Sequence, residues 1–329
     1  MRITVIGAGY WGKNLVRNFG ELGVLHGICD VSADVATRYS ENDSSLKVAT
    51  EPREFLDDPY VDAIAIATPA ATHGALVADA LSAGKHVFVE KPLCLDLDEA
   101  RRLKDQAEEK GLTLMVGHML HYHPAFCALR DAVAEGGIGE LRYIYSTRLS
   151  LGKIRREENA LWSFAPHDIS MILALTGKMP ELVSAKGEAY LRDGVADTTL
   201  SHMTFTNRLQ AHIFVSWIHP FKDQRLVVSG SNGMLVFDDV RPGDEKLLLY
   251  RHQVGWDGDI PTVNKAESEA VPYGDEEPLR AECRHFISCV ENGTRPDTDA
   301  AEGIRVLSVL DACQRSLASG DSIAPEAVR

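Results

Sequence analysis

The first third of the chain alternates short apolar runs with amphipathic stretches of helical spacing. Short runs that are apolar on both faces are typical of strands buried inside a parallel sheet. Residues 1–119 are therefore predicted to form an α/β domain with a doubly wound parallel sheet. The predicted strands are Arg2–Ile6, Val24–Asp30, Ala63–Ala67, Val87–Val89 and Leu114–Val116.

The pattern changes after residue 119. A predicted helix at Pro124–Glu135 is followed by longer runs in which apolar and polar positions alternate with the period of a strand. Residues 120–329 are therefore predicted to form an α+β domain with one large, mostly antiparallel sheet. Its strands are expected at Leu141–Ser150, Leu182–Ala189, Thr198–Thr206, Leu209–Trp217, Arg225–Ser229, Leu235–Asp238 and Lys246–Tyr250.

One face of this large sheet is expected to pack on helices and the other to stay open. An apolar sheet face left in water is costly, so the open face is predicted to join copies of the chain into a homodimer or homotetramer. Residues 252–277 are predicted to be a long irregular loop. Helices at Leu279–Glu291 and Asp299–Ala318 are predicted to close the chain.

The composition limits the class of protein. A chain of 329 residues with 45% apolar positions is long enough to bury two cores, and the net charge of −14 argues against nucleic acid or an anionic membrane as the main partner. No run approaches eighteen uncharged apolar residues, and no signal-peptide pattern follows Met1, so a cytoplasmic location is expected. The six cysteines lack the paired spacing of zinc or redox sites and are expected to be reduced.

A glycine motif stands between the first predicted strand and the first predicted helix. In GAGYWG, Gly7 allows a tight turn, Gly9 lets the backbone approach a pyrophosphate and Gly12 lets helix and strand pack closely. Asp30 ends the second predicted strand, where a carboxylate accepts hydrogen bonds from a ribose and repels a ribose phosphate. This pattern favours NAD over NADP, although Asp30 alone is also typical of a turn before a helix.

Polar and charged residues follow the other predicted strands. Thr68-Pro69, Glu90-Lys91-Pro92 and Gly117-His118 all come directly after apolar runs. The carboxyl ends of parallel strands meet at one edge of a sheet, and ligands of such sheets bind there. Lys91 is therefore a candidate catalytic residue, and the alternative is a solvated lysine at a strand end.

Three motifs in this order, GAGYWG, ATPAATH at 67–73 and VEKPL at 89–93, resemble the Gfo/Idh/MocA oxidoreductase family. The resemblance implies a dinucleotide-binding Rossmann domain, NAD as cofactor and a dehydrogenase activity. It also implies that Lys91 contacts the cofactor and poises a substrate hydroxyl, and that the Lys91-Pro92 peptide bond is cis. The cofactor contacts it implies are Gly7, Gly9, Tyr10, Trp11, Gly12, Asp30, Thr68, Pro69, His73, Glu90, Lys91 and Trp162.

The second catalytic residue of this family is usually a histidine, and the segment LWSFAPHDI gives that role to His167. A histidine suits proton transfer because its ordinary pKa is about 6.5. Members of the family often carry an aspartate four residues earlier, where this chain has Ser163. Asp168 either orients His167 or belongs to the following helix, and His167 itself has the alternative of a hydrogen-bonded histidine at a helix start.

Three cations, Lys153, Arg155 and Arg156, lie just before this segment and suit the diphosphate of a nucleotide sugar. The alternative is a solvated loop in which Glu157 and Glu158 cancel part of the charge. The run from 152 to 168 resembles the branch of the family that acts on UDP-N-acetylated sugars. The substrate contacts expected are Lys91, His118, Lys153, Arg155, Asn159 and His167.

The resemblance implies oxidation of the 3-hydroxyl of UDP-N-acetylglucosamine, or next of the corresponding uronic acid, in amino-sugar or lipopolysaccharide biosynthesis. A neutral-sugar or inositol dehydrogenase, a keto-sugar reductase and a dinucleotide-sensing regulator remain as alternatives. His118, His121 and His123 have no helix-spaced pair with a carboxylate, so no metal site is predicted.

Overall fold

The apolar runs of the first third form a six-stranded parallel sheet in the computed structural model, which describes residues 1–42, 46–156 and 158–327. The strand order β3-β2-β1-β4-β5-β6 is that of a Rossmann domain, which confirms the predicted fold. The strands are β1 (Ile3–Ile6), β2 (Leu25–Cys29), β3 (Lys47–Ala49), β4 (Ala63–Ile66), β5 (His86–Glu90) and β6 (Leu114–Gly117).

Helices follow the strands of this sheet as the alternating pattern requires. The helix after β5 has Asp96 as its N-cap, whose carboxylate accepts a hydrogen bond from the Glu99 backbone N–H at 2.7 Å. The short β3 and the single turn α3 were not predicted because their runs are too brief to show a period. The helices are α1 (Gly12–Glu21), α2 (Ala33–Asn42), α3 (Arg53–Leu56), α4 (His73–Ser82) and α5 (Leu97–Glu109).

A helix from the end of the chain shares the core of this sheet. In α8 (Pro278–Asn292), Leu279, Cys283 and Phe286 are buried in one cluster with residues of β1 and β5, and the Phe286 ring lies 5.8 Å from that of Phe88. The first compact unit therefore consists of Met1–Tyr122 together with Glu276–Leu307. The sequence pattern places this late segment in the second domain, because it divides the chain at residue 119 and cannot show that a later helix returns to the first core.

The second compact unit, His123–Asp275 with Ser308–Arg329, contains an eight-stranded sheet of order β16-β13-β12-β11-β7-β10-β9-β8. All neighbouring pairs are antiparallel except β7 and β10, which confirms a large, mostly antiparallel sheet. The strands are β7 (Leu141–Leu151), β8 (Leu182–Glu188), β9 (Thr198–Thr204), β10 (Gln210–Ser216), β11 (Ile218–Gly230), β12 (Met234–Asp238), β13 (Leu247–Tyr250) and β16 (Ser268–Ala270).

The two faces of this sheet differ as the alternation predicts. In β10, Ala211, Ile213 and Val215 are buried, while the intervening side chains are only half-buried. The opposite face has apolar side chains in contact with solvent, among them Leu200, which is 48% exposed and pairs with Phe214. The helices of this part are α6 (Pro124–Ala134), α7 (Ala160–Thr176) and the end of α9 (Ala300–Ser319).

The expectation of an irregular loop at 252–277 was wrong. The segment forms a hairpin of β14 (Gln253–Asp257) and β15 (Ile260–Asn264), and then adds β16 to the edge of the sheet. Every residue of the hairpin is exposed, so no buried face imposes the alternation that marks a strand. The turn signal was present, since Gly258 has φ +59° between the two strands.

Within the described parts of the chain, no helix combines the length and the apolar character that crossing a membrane requires.

Candidate active site

The glycine motif forms the turn between β1 and α1. Gly7 has φ +89°, and a Cβ there would lie 2.8 Å from the Ala67 carbonyl, while a Cβ at Gly12 would lie 1.8 Å from the Gly7 carbonyl oxygen. A Cβ at Gly9 would meet no atom of the described residues within 4 Å. Gly7 and Gly12 are thus fixed by packing, whereas the backbone at Gly9 is open to a ligand at the start of a helix, where anions bind.

Asp30 faces this glycine turn. Its Oδ2 accepts a hydrogen bond from the Ala8 N–H at 2.8 Å, and its Oδ1 accepts one from the Ser32 N–H at 2.9 Å. Asp30 therefore does form a turn before α2, and it also lies beside the glycine motif. Each carboxylate oxygen can accept more than one hydrogen bond, so the geometry leaves acceptor capacity for a ribose hydroxyl.

The segment after β5 is tied to the glycine turn by a buried carboxyl group. The indole N–H of Trp11 donates to Oε1 of Glu90 at 2.5 Å, and the predicted cis peptide bond between Lys91 and Pro92 is confirmed. Burial raises the pKa of Glu90 to about 7, against the opposing effects of the Trp11 hydrogen bond and the Lys91 charge. Lys91 is half-buried, and Tyr10 is exposed on the same glycine turn.

His73 connects the segments that follow β4 and β5. Its ring is 1% exposed, with Nδ1 2.7 Å from the Pro92 carbonyl oxygen and Nε2 2.9 Å from the Thr68 carbonyl oxygen. Burial lowers the pKa of His73, and the Lys91 charge acts in the same direction. Any effect of His73 on the cofactor is therefore transmitted by the loop of Thr68 and Pro69, which is half-buried at Thr68 and exposed at Pro69.

A group of buried acids lies behind these segments in the first unit. His118, predicted to contact the substrate, is 2% exposed, and its Nδ1 lies 2.6 Å from Oε2 of Glu302. Glu282 is completely buried, and in the described part of the chain neither of its carboxyl oxygens has a hydrogen-bond partner. Burial, together with the charges of Glu90 and Glu302, raises the pKa of Glu282 well above its ordinary value.

Sequence reasoning missed Glu282 and Glu302. Both stand on helices near the end of the chain, where a glutamate is normally solvent-exposed, and Glu302 is 184 residues away from its partner His118. No local motif marks such a contact.

In the second unit, His167 lies in the middle of α7 rather than at a helix start. The helix begins after Asn159, whose Oδ1 accepts a hydrogen bond from the Trp162 N–H at 3.1 Å, and Pro166 lies inside the helix. A proline inside a helix is unfavourable, which is why the pattern predicts the helix only beyond it. Ser163 is buried one turn before the half-buried His167.

Asp168 connects α7 to the sheet. Its carboxylate accepts hydrogen bonds from Nε and Nη2 of Arg148 at 2.9 and 3.1 Å, and from Oγ of Ser146 at 2.6 Å. Asp168 is 1% exposed, so this is a buried bidentate ion pair. Of the two roles left open by the sequence, the contacts favour the structural one, since Asp168 fixes the helix that carries His167.

Two other predicted contact residues of this unit share one partner. Oε1 of Gln314 accepts hydrogen bonds from Nδ2 of Asn159 at 2.8 Å and from the Trp162 indole N–H at 3.0 Å. Gln314 was not found from the sequence because it lies about 150 residues away on α9. These contacts hold both side chains in place.

The cations predicted to bind a diphosphate lie together on an exposed segment. Lys153, Arg155 and Arg156 are all exposed, and Nε of Arg155 forms an ion pair with Oε1 of Glu158 at 2.9 Å. Glu157 lies outside the described residues. The pair with Glu158 offsets part of the positive charge, as the solvated-loop alternative requires, so the diphosphate site stays a prediction.

The three histidines at 118–123 have separate surroundings. His123 is the N-cap of α6, where its Nδ1 accepts a hydrogen bond from the Ala125 N–H at 3.1 Å, and its Nε2 lies 3.5 Å from Asp239. Among residues 1–42, 46–156 and 158–327, no group of three or more His, Cys, Asp or Glu side chains is arranged to hold a metal ion.

Comparison with known proteins identifies both parts of the chain. Residues 1–118 match the Gfo/Idh/MocA model described as an oxidoreductase family with an NAD-binding Rossmann fold, and residues 126–236 match the Gfo/Idh/MocA C-terminal domain. The chain is 31% identical over 312 residues to UDP-N-acetylglucosamine 3-dehydrogenase of Acidithiobacillus ferrooxidans, with 94% of each chain covered. It is 28% identical over 341 residues to myo-inositol 2-dehydrogenase of Thermotoga maritima, which covers 100% of this chain and 99% of the relative.

A solved structure agrees with the sequence relatives. UDP-N-acetylglucosamine 3-dehydrogenase from Acidithiobacillus ferrooxidans matches with a TM-score of 0.85 at 29% identity, covering 96% of this chain and 97% of that chain.

Proposed function

Because the chain belongs to the Gfo/Idh/MocA oxidoreductase family and is an NAD-dependent sugar dehydrogenase, we propose that it oxidises the 3-hydroxyl of UDP-N-acetylglucosamine to the 3-keto sugar. The choice of sugar rests on one observation, the 31% identity to a UDP-N-acetylglucosamine 3-dehydrogenase over 94% of both chains. UDP-linked uronic acid is the next candidate. A 3-keto product suits transamination, which would place the reaction in amino-sugar and lipopolysaccharide biosynthesis.

The residues of the first unit suit NAD. The open backbone at Gly9 and the start of α1 would receive the pyrophosphate, and Asp30 would accept hydrogen bonds from the adenosine ribose. Tyr10, Trp11, Thr68 and Pro69 lie on the adjoining loops. Bound NAD supplies the acceptor for the hydride that leaves carbon 3 of the sugar.

Lys91 and His167 are the proposed catalytic residues. Lys91 follows β5 beside the glycine turn, and a lysine with an ordinary pKa of about 10.4 would remain cationic and stabilise the negative charge that develops on the sugar oxygen. His167 would accept the hydroxyl proton as a general base. The sequence allows the same two roles to be exchanged between Lys91 and His167.

The proposed substrate contacts beyond the catalytic pair fall into two groups. Lys153 and Arg155 would bind the diphosphate, since they are exposed cations in a chain of net charge −14. Asn159, fixed by Gln314, would contact the sugar, whereas His118 is buried against Glu302 and would act behind the site. Both of these polar groups are held by a second side chain, which suits a pre-organised site.

The test of the catalytic pair uses two substitutions. Lys91→Met and His167→Ala should each retain NADH binding, measured by fluorescence, and lose most of the turnover, measured as NADH formation from NAD and UDP-N-acetylglucosamine. Wild-type turnover in either variant would contradict its assigned role.

An inositol or neutral-sugar dehydrogenase is the second candidate, because the relative from Thermotoga maritima covers the whole chain at 28% identity. A thermal-shift panel with NADH present distinguishes the two: UDP-sugars should raise the melting temperature and free sugars or inositols should not. The opposite result would favour the second candidate.

The open face of the large sheet is the proposed contact between copies of the chain. Leu200 and Phe214 pair on this face, and Leu200 is 48% exposed. Leu200→Arg should lower the molar mass measured by sedimentation without loss of NADH binding, whereas an unchanged mass would place the contact elsewhere.

A further inference from the structure

His73 forms a bridge between two loops of the first unit, and its geometry has a consequence for Lys91. The ring lies at the start of α4 with a 2.7 Å contact from Nδ1 to the Pro92 carbonyl oxygen and a 2.9 Å contact from Nε2 to the Thr68 carbonyl oxygen. His73 is 1% exposed, and its contact with Pro92 is buried while that with Thr68 is partly buried. We call this arrangement the His73 bridge.

The bridge begins where the backbone ladder stops. Strands β4 and β5 are paired from Ala63 and His86 up to Ile66 and Val89. Beyond that pair β4 and β5 no longer pair with each other, although Glu90 still pairs with Gly117 of β6. The contacts of His73 with Thr68 and Pro92 thus connect the two segments just past the sheet edge.

We propose that His73 is a positioning residue for Lys91, which it holds by fixing the adjacent Pro92 carbonyl to the Thr68 loop. The proposal rests on the proposed catalytic role of Lys91. His73 acts through the backbone on both sides, so it touches neither the sugar nor the reacting atoms. Its Thr68 contact affects the loop proposed to bind NAD, and its Pro92 contact affects the turn that carries Lys91.

The protonation of the ring decides which replacements preserve the bridge. Both partners are carbonyl oxygens, so a neutral ring with one N–H donates to one of them at a time, and an imidazolium donates to both. Burial lowers the pKa of His73, the contacts with the Pro92 and Thr68 carbonyls raise it, and the nearby Lys91 charge lowers it. The carboxylate of Glu99 on α5 packs against the next residue, Gly74, where a Cβ would lie 2.2 Å from its Oε1.

Substitution of His73 by asparagine or by glutamine tests the two contacts one at a time. Asparagine places its amide nitrogen near the position of Nδ1, toward the Pro92 carbonyl, and glutamine places it near Nε2, toward the Thr68 carbonyl. His73→Asn should therefore keep kcat within a few-fold of the wild type and weaken NAD binding. His73→Gln should keep the NAD dissociation constant and lose kcat, by roughly 100-fold if Lys91 moves by about 1 Å.

The experiment measures kcat under saturating NAD and sugar, and the NADH dissociation constant by fluorescence, for wild type, His73→Asn, His73→Gln and His73→Phe. His73→Phe removes both contacts, so both its kcat and its affinity for NADH should fall. The control is His86→Asn at the opposite end of β5, where the amide oxygen can still accept from the Thr113 N–H, and it should change neither value.

A merely structural role would not make one variant lose only NADH affinity and the other lose only kcat. If Asn and Gln lose kcat and NADH affinity in parallel, or if Phe keeps wild-type kcat, the proposal is overturned. Should Phe fail to fold, the Asn and Gln pair still decides. If the wild type does not oxidise UDP-N-acetylglucosamine, the proposed function fails, and the same variants are measured with the polyol or sugar that the wild type does oxidise.

Discussion

The glycine turn allows a paired test of packing against ligand binding. Gly12→Ala and Gly9→Ala each add one methyl group within four residues of each other. At Gly12 the new Cβ would lie 1.8 Å from the Gly7 carbonyl oxygen, whereas at Gly9 it would meet no described atom within 4 Å. We therefore expect the two variants to change the free energy of unfolding in opposite directions.

The magnitudes follow from competing terms. At Gly12, alanine gains up to about 1 kcal/mol of helix propensity. The added Cβ would lie 1.8 Å from the Gly7 carbonyl oxygen, although Cβ contacts in proteins stay above 3.0 Å. A backbone oxygen cannot rotate away as a side chain can. Overpacking of this kind costs about 1–3 kcal/mol or more, so the variant is expected to be destabilised. Gly9 is not among the glycines with positive φ, so alanine fits its backbone conformation. Gly9→Ala should raise the free energy of unfolding by about 0.4–1 kcal/mol, because alanine reduces the entropy of the unfolded chain.

Affinity for the cofactor should fall in both variants. At Gly9 the methyl group displaces the pyrophosphate from the backbone N–H groups, and the loss of one charge-assisted hydrogen bond of about 1.5–3 kcal/mol corresponds to roughly a 10- to 100-fold weaker affinity. Urea unfolding followed by circular dichroism measures stability, and NADH fluorescence measures affinity. Wild-type NADH affinity in a stable Gly9→Ala variant would refute the placement of the pyrophosphate at this turn.

Three further predictions concern buried charges. Asp168→Ala leaves Arg148 without its buried carboxylate partner and should lower the free energy of unfolding by about 3–5 kcal/mol, measured by urea unfolding. Glu282→Leu removes a buried acid whose pKa is raised in the folded chain, whereas the unfolded chain releases this proton above the ordinary pKa of 4.5. The variant should therefore be more stable than the wild type, and by more at pH 8 than at pH 5. An equal difference in the urea midpoint between variant and wild type at both pH values would contradict this. Glu90→Gln removes a buried acid whose pKa is raised from 4.5 to about 7, so the free energy of unfolding of the variant relative to the wild type should rise between pH 5 and pH 7; a constant difference, measured by urea unfolding, would contradict this.

The sequence predicts those parts of the site that depend on neighbours in the chain. The glycine turn, the cis bond at Pro92 and the sheet edge all follow from short motifs, because a tight turn and a strand end are local structures. The contacts of Glu302 with His118 and of Gln314 with Trp162 join residues more than 150 positions apart. No periodicity in one segment can report a partner so distant.

The hairpin and the first part of α7 were missed for a different reason. Strand and helix predictions depend on one buried face and on favourable residues inside the element. The hairpin has no buried face, and α7 contains Pro166 but is buried almost all round, so its periodicity is weak. Burial by the surrounding structure outweighs the local pattern in α7, whereas only the turn at Gly258 marks the exposed hairpin.

The surroundings of Lys91 favour its role as an electrostatic stabiliser over that of proton acceptor. A proton acceptor needs a neutral amine, and a neighbouring carboxylate opposes that because it favours the ammonium form. Glu90 is such a neighbour, and with its pKa near 7 it is ionised increasingly above neutral pH. A cationic lysine would stabilise an oxyanion, and under the proposed function proton transfer would then fall to His167.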